Sequence, residues 1–139
     1  MIVLDTGALY AALVETEIHH TPCREALLGE APPLFLSPFV LCELDYLLAT
    51  RFGVDVELDL LDEVARGAYQ LEPFTEADIG LARQVVAQYR DLGIGLADAS
   101  LVVLAERHGT ERLLSLDERH FRAVRTTTGG AFTLVPAES

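Results

Sequence analysis

Short runs of apolar residues alternate along this chain with longer stretches in which apolar side chains recur every three or four positions. The first pattern marks buried strands and the second amphipathic helices. The strands predicted are Ile2 to Asp5, Leu34 to Ser37, Tyr69 to Glu72, Arg112 to Leu116 and Phe132 to Val135. Helices are expected at 6–14, 21–29, 38–52, 55–67, 75–92 and 96–108, with a short one at 118–124. Strands alternating with helices over the whole length predict a three-layer α/β sandwich, a central parallel five-stranded sheet with helices on both faces. With no linker and no internal repeat, residues 1–139 read as a single domain.

Several boundaries carry their own mechanism. In Ser37-Pro38 the serine can cap a helix whose first position is proline, and Thr75-Glu76-Ala77-Asp78 has the form of a capping box with Asp in place of Glu or Gln. Gly53 and Gly109 fall where helix C-termini need a residue free to take positive φ. In open parallel sheets, sites form outside the carboxyl ends of the strands. Asp5 closes the run Ile2-Val3-Leu4, and Asp117 closes Leu113-Leu114-Ser115-Leu116, so both carboxylates are expected on one edge of the sheet. Each could instead cap the helix that follows it.

Two further acids lie within apolar helical stretches. Glu43, in SPFVLCELDYLLAT, has Phe39 and Val40 one turn before it and Tyr46 and Leu47 one turn after. Asp98, in GIGLADASLVVLAERHG, has Ile94, Leu101 and Val102 at helical spacing. An unpaired carboxylate in an apolar face is costly, so a partner is expected. Asp45 has similar surroundings to Glu43 but lies about 200° further round the helix, at about 100° per residue. Only one of the two can face the strand edge; the other meets solvent, an arginine or a second subunit. A first-turn aspartate favoured by the helix dipole explains Asp98 alone, but not an acid in four separate elements. Four converging carboxylates repel one another unless a divalent cation joins them, and hard oxygen donors with no nearby Cys or His favour Mg²⁺ or Mn²⁺. Such a cluster can activate water for attack on a phosphodiester.

Composition changes this picture in two places. Half the residues are hydrophobic, which excludes a disordered chain, and no stretch approaches the roughly 20 apolar residues of a membrane span. Without signal-peptide features a cytoplasmic location is expected, with Cys23 and Cys42 as reduced core thiols. The net charge of −12 weighs against nucleic acid, yet residues 107–125 hold five arginines against three acids, whereas residues 1–106 hold five basic side chains against 18 acids. Lysine is absent throughout.

The pieces VLDTGAL, SPFVLCELDYLLATRFG, IGLADASLVVLAERHG and LLSLDERHF, in this order, resemble the PIN-domain nucleases, and within them the VapC-type toxin ribonucleases of bacterial toxin–antitoxin pairs. The resemblance spans nearly the whole chain and implies a PIN-like sandwich. It places the family's metal-binding, catalytic acids on Asp5, Glu43, Asp98 and Asp117, selecting Glu43 over Asp45. It also places supporting hydroxyls on Thr6 and Ser115. Gly7 departs from the small polar residue more usual there. The resemblance implies an Mg²⁺- or Mn²⁺-dependent endoribonuclease leaving a 5′-phosphate, inhibition by a cognate VapB-type antitoxin, a homodimer, and contact with DNA only through the antitoxin. Arg119 and Arg122 share one helical face, with Arg125 nearby; together with His120 they are candidates for touching RNA phosphates. A solvated basic face that balances an acidic protein is the competing reading.

Two rivals remain. Aspartate-based phosphohydrolases place Asp at strand ends, but receiver domains need a lysine and haloacid-dehalogenase-type phosphatases begin with DxD, where this chain has Asp5-Thr6-Gly7. A non-catalytic PIN-fold binding protein would use apolar faces of the helices near 6–30 and 38–67 as a groove, and would not require all four acids. No GxSxG elbow occurs, and the four histidines are assigned structural roles.

Overall fold

A computed structural model describes residues 1–137. Its five strands, β1 (Ile2–Leu4), β2 (Leu34–Leu36), β3 (Gln70–Leu71), β4 (Arg112–Leu114) and β5 (Thr133–Val135), form one sheet in the order β3-β2-β1-β4-β5, and every pairing is parallel. The first four strands are shorter at their carboxyl ends than the apolar runs suggest, and β3 and β5 also start one residue later. Asp5, Glu72 and Ser115 still donate their backbone N–H to Leu114, Leu36 and Val135, but their side chains already belong to the loops above the sheet.

Seven helices connect the strands: α1 (Thr6–Leu13), α2 (His20–Gly29), α3 (Pro38–Phe52), α4 (Val54–Ala65), α5 (Glu76–Gln88), α6 (Leu96–His108) and α7 (Glu118–Phe121). Right-handed crossovers put α1–α4 on one face and α5–α7 on the other. The core gathers Ile2, Val3, Leu4, Phe35, Leu36, Leu113, Leu114 and Leu134 from the strands against α1 and α6. Every residue of α6 from Ala99 to Ala105 is buried, as expected of a helix covered by neighbours rather than facing water.

The caps follow the sequence. Ser37 accepts from Phe39 N–H with Pro38 in the first turn of α3, and Thr75 and Asp78 form a reciprocal box at the start of α5. Gly53 (φ +94°) turns the chain from α3 into α4, and Gly109 (φ +62°) closes α6. The helix expected over 75–92 stops at Gln88 and continues as a 3-10 turn, Arg90–Leu92, ended by left-handed Gly93 (φ +68°). The last short helix ends at Phe121 rather than 124. Cys23 is buried as expected, whereas Cys42 is exposed, because the buried face of α3 is Val40, Leu44 and Leu48.

Candidate active site

Strand order reverses between β1 and β4, which are hydrogen-bonded neighbours although most of the chain separates them. The loops leaving their carboxyl ends diverge there, and the crevice between them is where open α/β sheets bind ligands. Asp5 and Asp117 stand at its two sides, and both expectations for them hold together. Asp5 caps α1 by accepting from Thr6 N–H at 2.8 Å, and Asp117 caps α7 by accepting from His120 N–H at 3.1 Å.

Two hydroxyls tie the acids to the frame. Ser115 Oγ donates to Asp5 Oδ2 at 2.7 Å and accepts from Asp117 N–H at 3.0 Å, so one side chain positions both acidic loops. Thr6 Oγ1 donates to Glu43 Oε1 at 2.7 Å, linking α1 to α3. A buried pair, Ser37 Oγ and Ser100 Oγ at 2.7 Å, joins the start of α3 to α6, the helices that carry Glu43 and Asp98. The four acids therefore line one cleft of about 1040 Å³ with Thr6, Gly7, Phe39, Cys42, Tyr46, Leu96 and Leu116.

Electrostatics set this cleft apart. Asp5 is only 8% exposed, and burial pushes its carboxyl up to about 7. The Ser115 and Thr6 hydrogen bonds oppose that shift, while Asp98 and Asp117 add to it. Asp98 is also held above the usual carboxylate range, first by burial and then by Asp117, with His120 opposing. Carboxylates raised by burial and by one another mark this cleft as a candidate functional site.

His120, expected from the sequence to touch RNA phosphates with the arginines, sits among the acids themselves. Its Nδ1 lies 2.7 Å from Asp117 Oδ2 and 3.9 Å from Asp98 Oδ2, and its Nε2 lies 3.1 Å from Leu92 O. Donor atoms of Asp98, Asp117 and His120 all lie within 4.8 Å of one another, a spacing that fits a divalent cation. The expectation of a purely oxygen site with no nearby His is thereby corrected. The available signal was the i,i+3 spacing of Asp117 and His120 across the start of a helix.

Glu43 faces the cleft as expected, though not for the reason offered. It is exposed, and of its neighbours Phe39, Tyr46 and Leu47 line the cleft, Leu47 also packing on the core, while only Val40 is fully buried. Asp45 points toward α4, where its carboxyl raises the pKa of Glu57 through a hydrogen bond. Asp45 Oδ1 is occluded and has no hydrogen-bond partner among the described residues. Of the candidate RNA-binding arginines, Arg122 pairs with Glu118 at 3.0 Å, Arg125 donates to Arg122 O at 3.3 Å, and none lines the cleft.

Residues 2–126 of the chain match a known family model, the PIN domain. The chain belongs to the PIN domain family. It is 46% identical over 135 residues to Ribonuclease VapC26 of Mycobacterium tuberculosis, covering 97% of this chain and 100% of that protein. In fold it is similar to the crystal structure of M. tuberculosis VapC20, a Sarcin-Ricin loop cleaving toxin, with a TM-score of 0.78 at 18% identity over 84% of this chain and 90% of that one. VapBC2 from Rickettsia felis, solved bound to a DNA fragment from its promoter, superposes with a TM-score of 0.68 at 18% identity over 96% and 98% of the two chains.

Proposed function

We propose that the protein is the toxin of a type II toxin–antitoxin pair, an Mg²⁺- or Mn²⁺-dependent endoribonuclease that a cognate VapB-type antitoxin inhibits and that works in the cytoplasm as a homodimer. The observation that carries this reading is the meeting of Asp5, Glu43, Asp98 and Asp117 in one cleft, each held by a side-chain or main-chain hydrogen bond, that of Asp98 coming from the Gly95 main chain. The relation to Ribonuclease VapC26 supports the RNA substrate, and the likeness to the R. felis pair supports the antitoxin.

Asp98, Asp117 and His120 have the spacing to hold a divalent cation, with Asp5 and Glu43 beside them. Such a cation would lower the pKa of bound water and stabilise charge on the scissile phosphate. Asp5 is held by Ser115 in a nearly dry position in the same cleft. Thr6 fixes the Glu43 rotamer, so the cleft wall on α3 keeps its carboxylate turned inward.

A second surface fits the antitoxin. Between α1, α3 and α4 lies a groove of about 420 Å³ with Leu13, Val14, Leu48, Phe52 and Leu60 inside and Glu15, Asp59 and Glu63 on its rim. An amphipathic segment carrying basic residues would match both its apolar floor and its charge.

The test is an Asp5→Asn protein compared with the native one, incubated with total RNA and Mg²⁺ or Mn²⁺. The expected result is loss of cleavage with metal-free stability unchanged or raised, since repulsion is relieved. A large loss of stability, with no cleavage by the native protein, would point instead to a non-catalytic binding protein.

A further inference from the structure

The ring of His120 is held on both sides. Its Nε2 lies 3.1 Å from Leu92 O, the last carbonyl of the 3-10 turn Arg90–Leu92. A carbonyl oxygen can only accept, so Nε2 carries a hydrogen and donates it. The other nitrogen, Nδ1, is turned to the acids, 2.7 Å from Asp117 Oδ2 and 3.9 Å from Asp98 Oδ2. Asp117 is oriented as well: its Oδ1 accepts from His120 N–H at 3.1 Å in the cap of α7, which leaves Oδ2 facing the ring.

A histidine that ligates metal is arranged in this way. One ring nitrogen donates to a main-chain carbonyl, which sets the tautomer and the ring plane, and the lone pair of the other is left for the ion. A proton between Nδ1 and Asp117 would serve that pair alone, since 3.9 Å to Asp98 is too long for a hydrogen bond. A cation serves all three, because donor atoms of Asp98, Asp117 and His120 lie within 4.8 Å of one another. Among the described residues no arginine lines the cleft to balance the acids in its place.

The nitrogen bears on which ion is taken. Mg²⁺ keeps to oxygen ligands and its own waters, whereas imidazole suits transition ions. Resting on the metal-dependent reading above, we propose that His120 binds the cation directly through Nδ1, together with Asp98 and Asp117, and that this nitrogen makes the site select Mn²⁺ over Mg²⁺. Leu92 is then a positioning residue, acting on the ion through the ring its carbonyl holds.

The test reads the ion rather than the reaction. Metal-stripped native protein is titrated calorimetrically with Mn²⁺ and with Mg²⁺. The Mn²⁺-loaded protein is then examined by pulsed electron paramagnetic resonance, with its histidines carrying either ¹⁴N or ¹⁵N. Direct ligation predicts a nitrogen coupling to Mn²⁺ that changes with the isotope, and Mn²⁺ bound about tenfold or more tighter than Mg²⁺. In His120→Asn, which keeps an oxygen donor, the coupling should vanish. Mn²⁺ affinity should fall about tenfold or more, and Mg²⁺ affinity should change less, so that the preference narrows. The native spectrum decides ligation whether or not the variant folds as well as the native protein.

No nitrogen coupling in the native protein would overturn the proposal. So would unchanged or raised Mn²⁺ affinity in His120→Asn, which would make His120 a counter-charge for the acids. An equal loss of both ions would overturn the selectivity. A native protein that cleaves RNA without nitrogen coupling removes the histidine ligand alone. Nitrogen-coupled Mn²⁺ in a protein that cleaves no RNA keeps the ligand and removes the ribonuclease reading.

Discussion

Asp5 shows how one residue serves structure and chemistry together. Its carboxylate caps α1, yet the same burial that orders it pushes its pKa from 3.8 to about 7. Between those values the folded, metal-free protein holds a proton that the unfolded chain has released, so stability should fall as pH rises through that window, by a few kcal/mol in all. The check is chemical denaturation of the metal-free protein from pH 4 to 8: the native curve should decline with pH, and Asp5→Asn should flatten most of that decline. Ser115→Ala offers a second test at this scale. It removes the hydroxyl shared by Asp5 and the Asp117 main chain, and should cost about 1–3 kcal/mol in urea titrations and reduce cleavage well beyond that loss.

The site residues were legible to different degrees, for physical reasons. Asp5, Asp98 and Asp117 could be found because a charge next to apolar neighbours, or at the end of an apolar run, is a local anomaly. Ile94, Leu101 and Val102, invoked around Asp98, are indeed buried. Glu43 was found through the same anomaly partly misread: Val40 is buried, but Phe39, Tyr46 and Leu47 line the cleft, and periodicity cannot distinguish an apolar face turned to the core from one turned to a cleft. His120 was named only as a phosphate contact: its i,i+3 spacing from Asp117 was in the sequence, but its meeting with Asp98 depends on how α6 and α7 pack.

At the scale of elements, two contacts anchor α6 at its two ends. Ser37 and Ser100 are fully buried and bonded to each other, which fixes the start of α3 against α6. Ser37→Ala should cost about 1–2 kcal/mol through the lost cap and the stranded Ser100 hydroxyl, read as a shift of the urea midpoint at unchanged slope. At the other end of α6, Glu72, 5% exposed, meets His108, Arg107 and Gln70, while Arg107 also reaches Asp78 at 2.9 Å and Pro73 O at 2.8 Å. Burial acts to raise the Glu72 carboxyl, but its partners hold it below the usual range. A depressed carboxylate contributes stability above its unfolded pKa near 4.5 and loses it as pH falls through the folded value. The elements themselves were readable from the pattern of apolar positions; their ends were not. Asp5, Glu72 and Ser115 extend the apolar runs in sequence, yet their side chains leave the sheet to make loop contacts.

For the whole molecule, the net charge of −12 and the lack of lysine mean that long-range electrostatics repel RNA. On the proposed function, recognition would rest on a cation between the acids and on the arginines beyond Asp117. Neutralising Arg119 and Arg122 together should weaken RNA binding and flatten its dependence on salt; an unchanged slope in a filter-binding series would remove those arginines from the interface.

The ribonuclease account stands most directly on one experiment. Purified native protein and Asp98→Asn are titrated with Mn²⁺ in the presence of RNA, and the new ends are examined chemically. Metal-dependent cleavage by the native protein, leaving 5′-phosphates and abolished by EDTA and by Asp98→Asn, is the result expected. Cleavage that persists in EDTA, or that Asp98→Asn leaves intact, would contradict it.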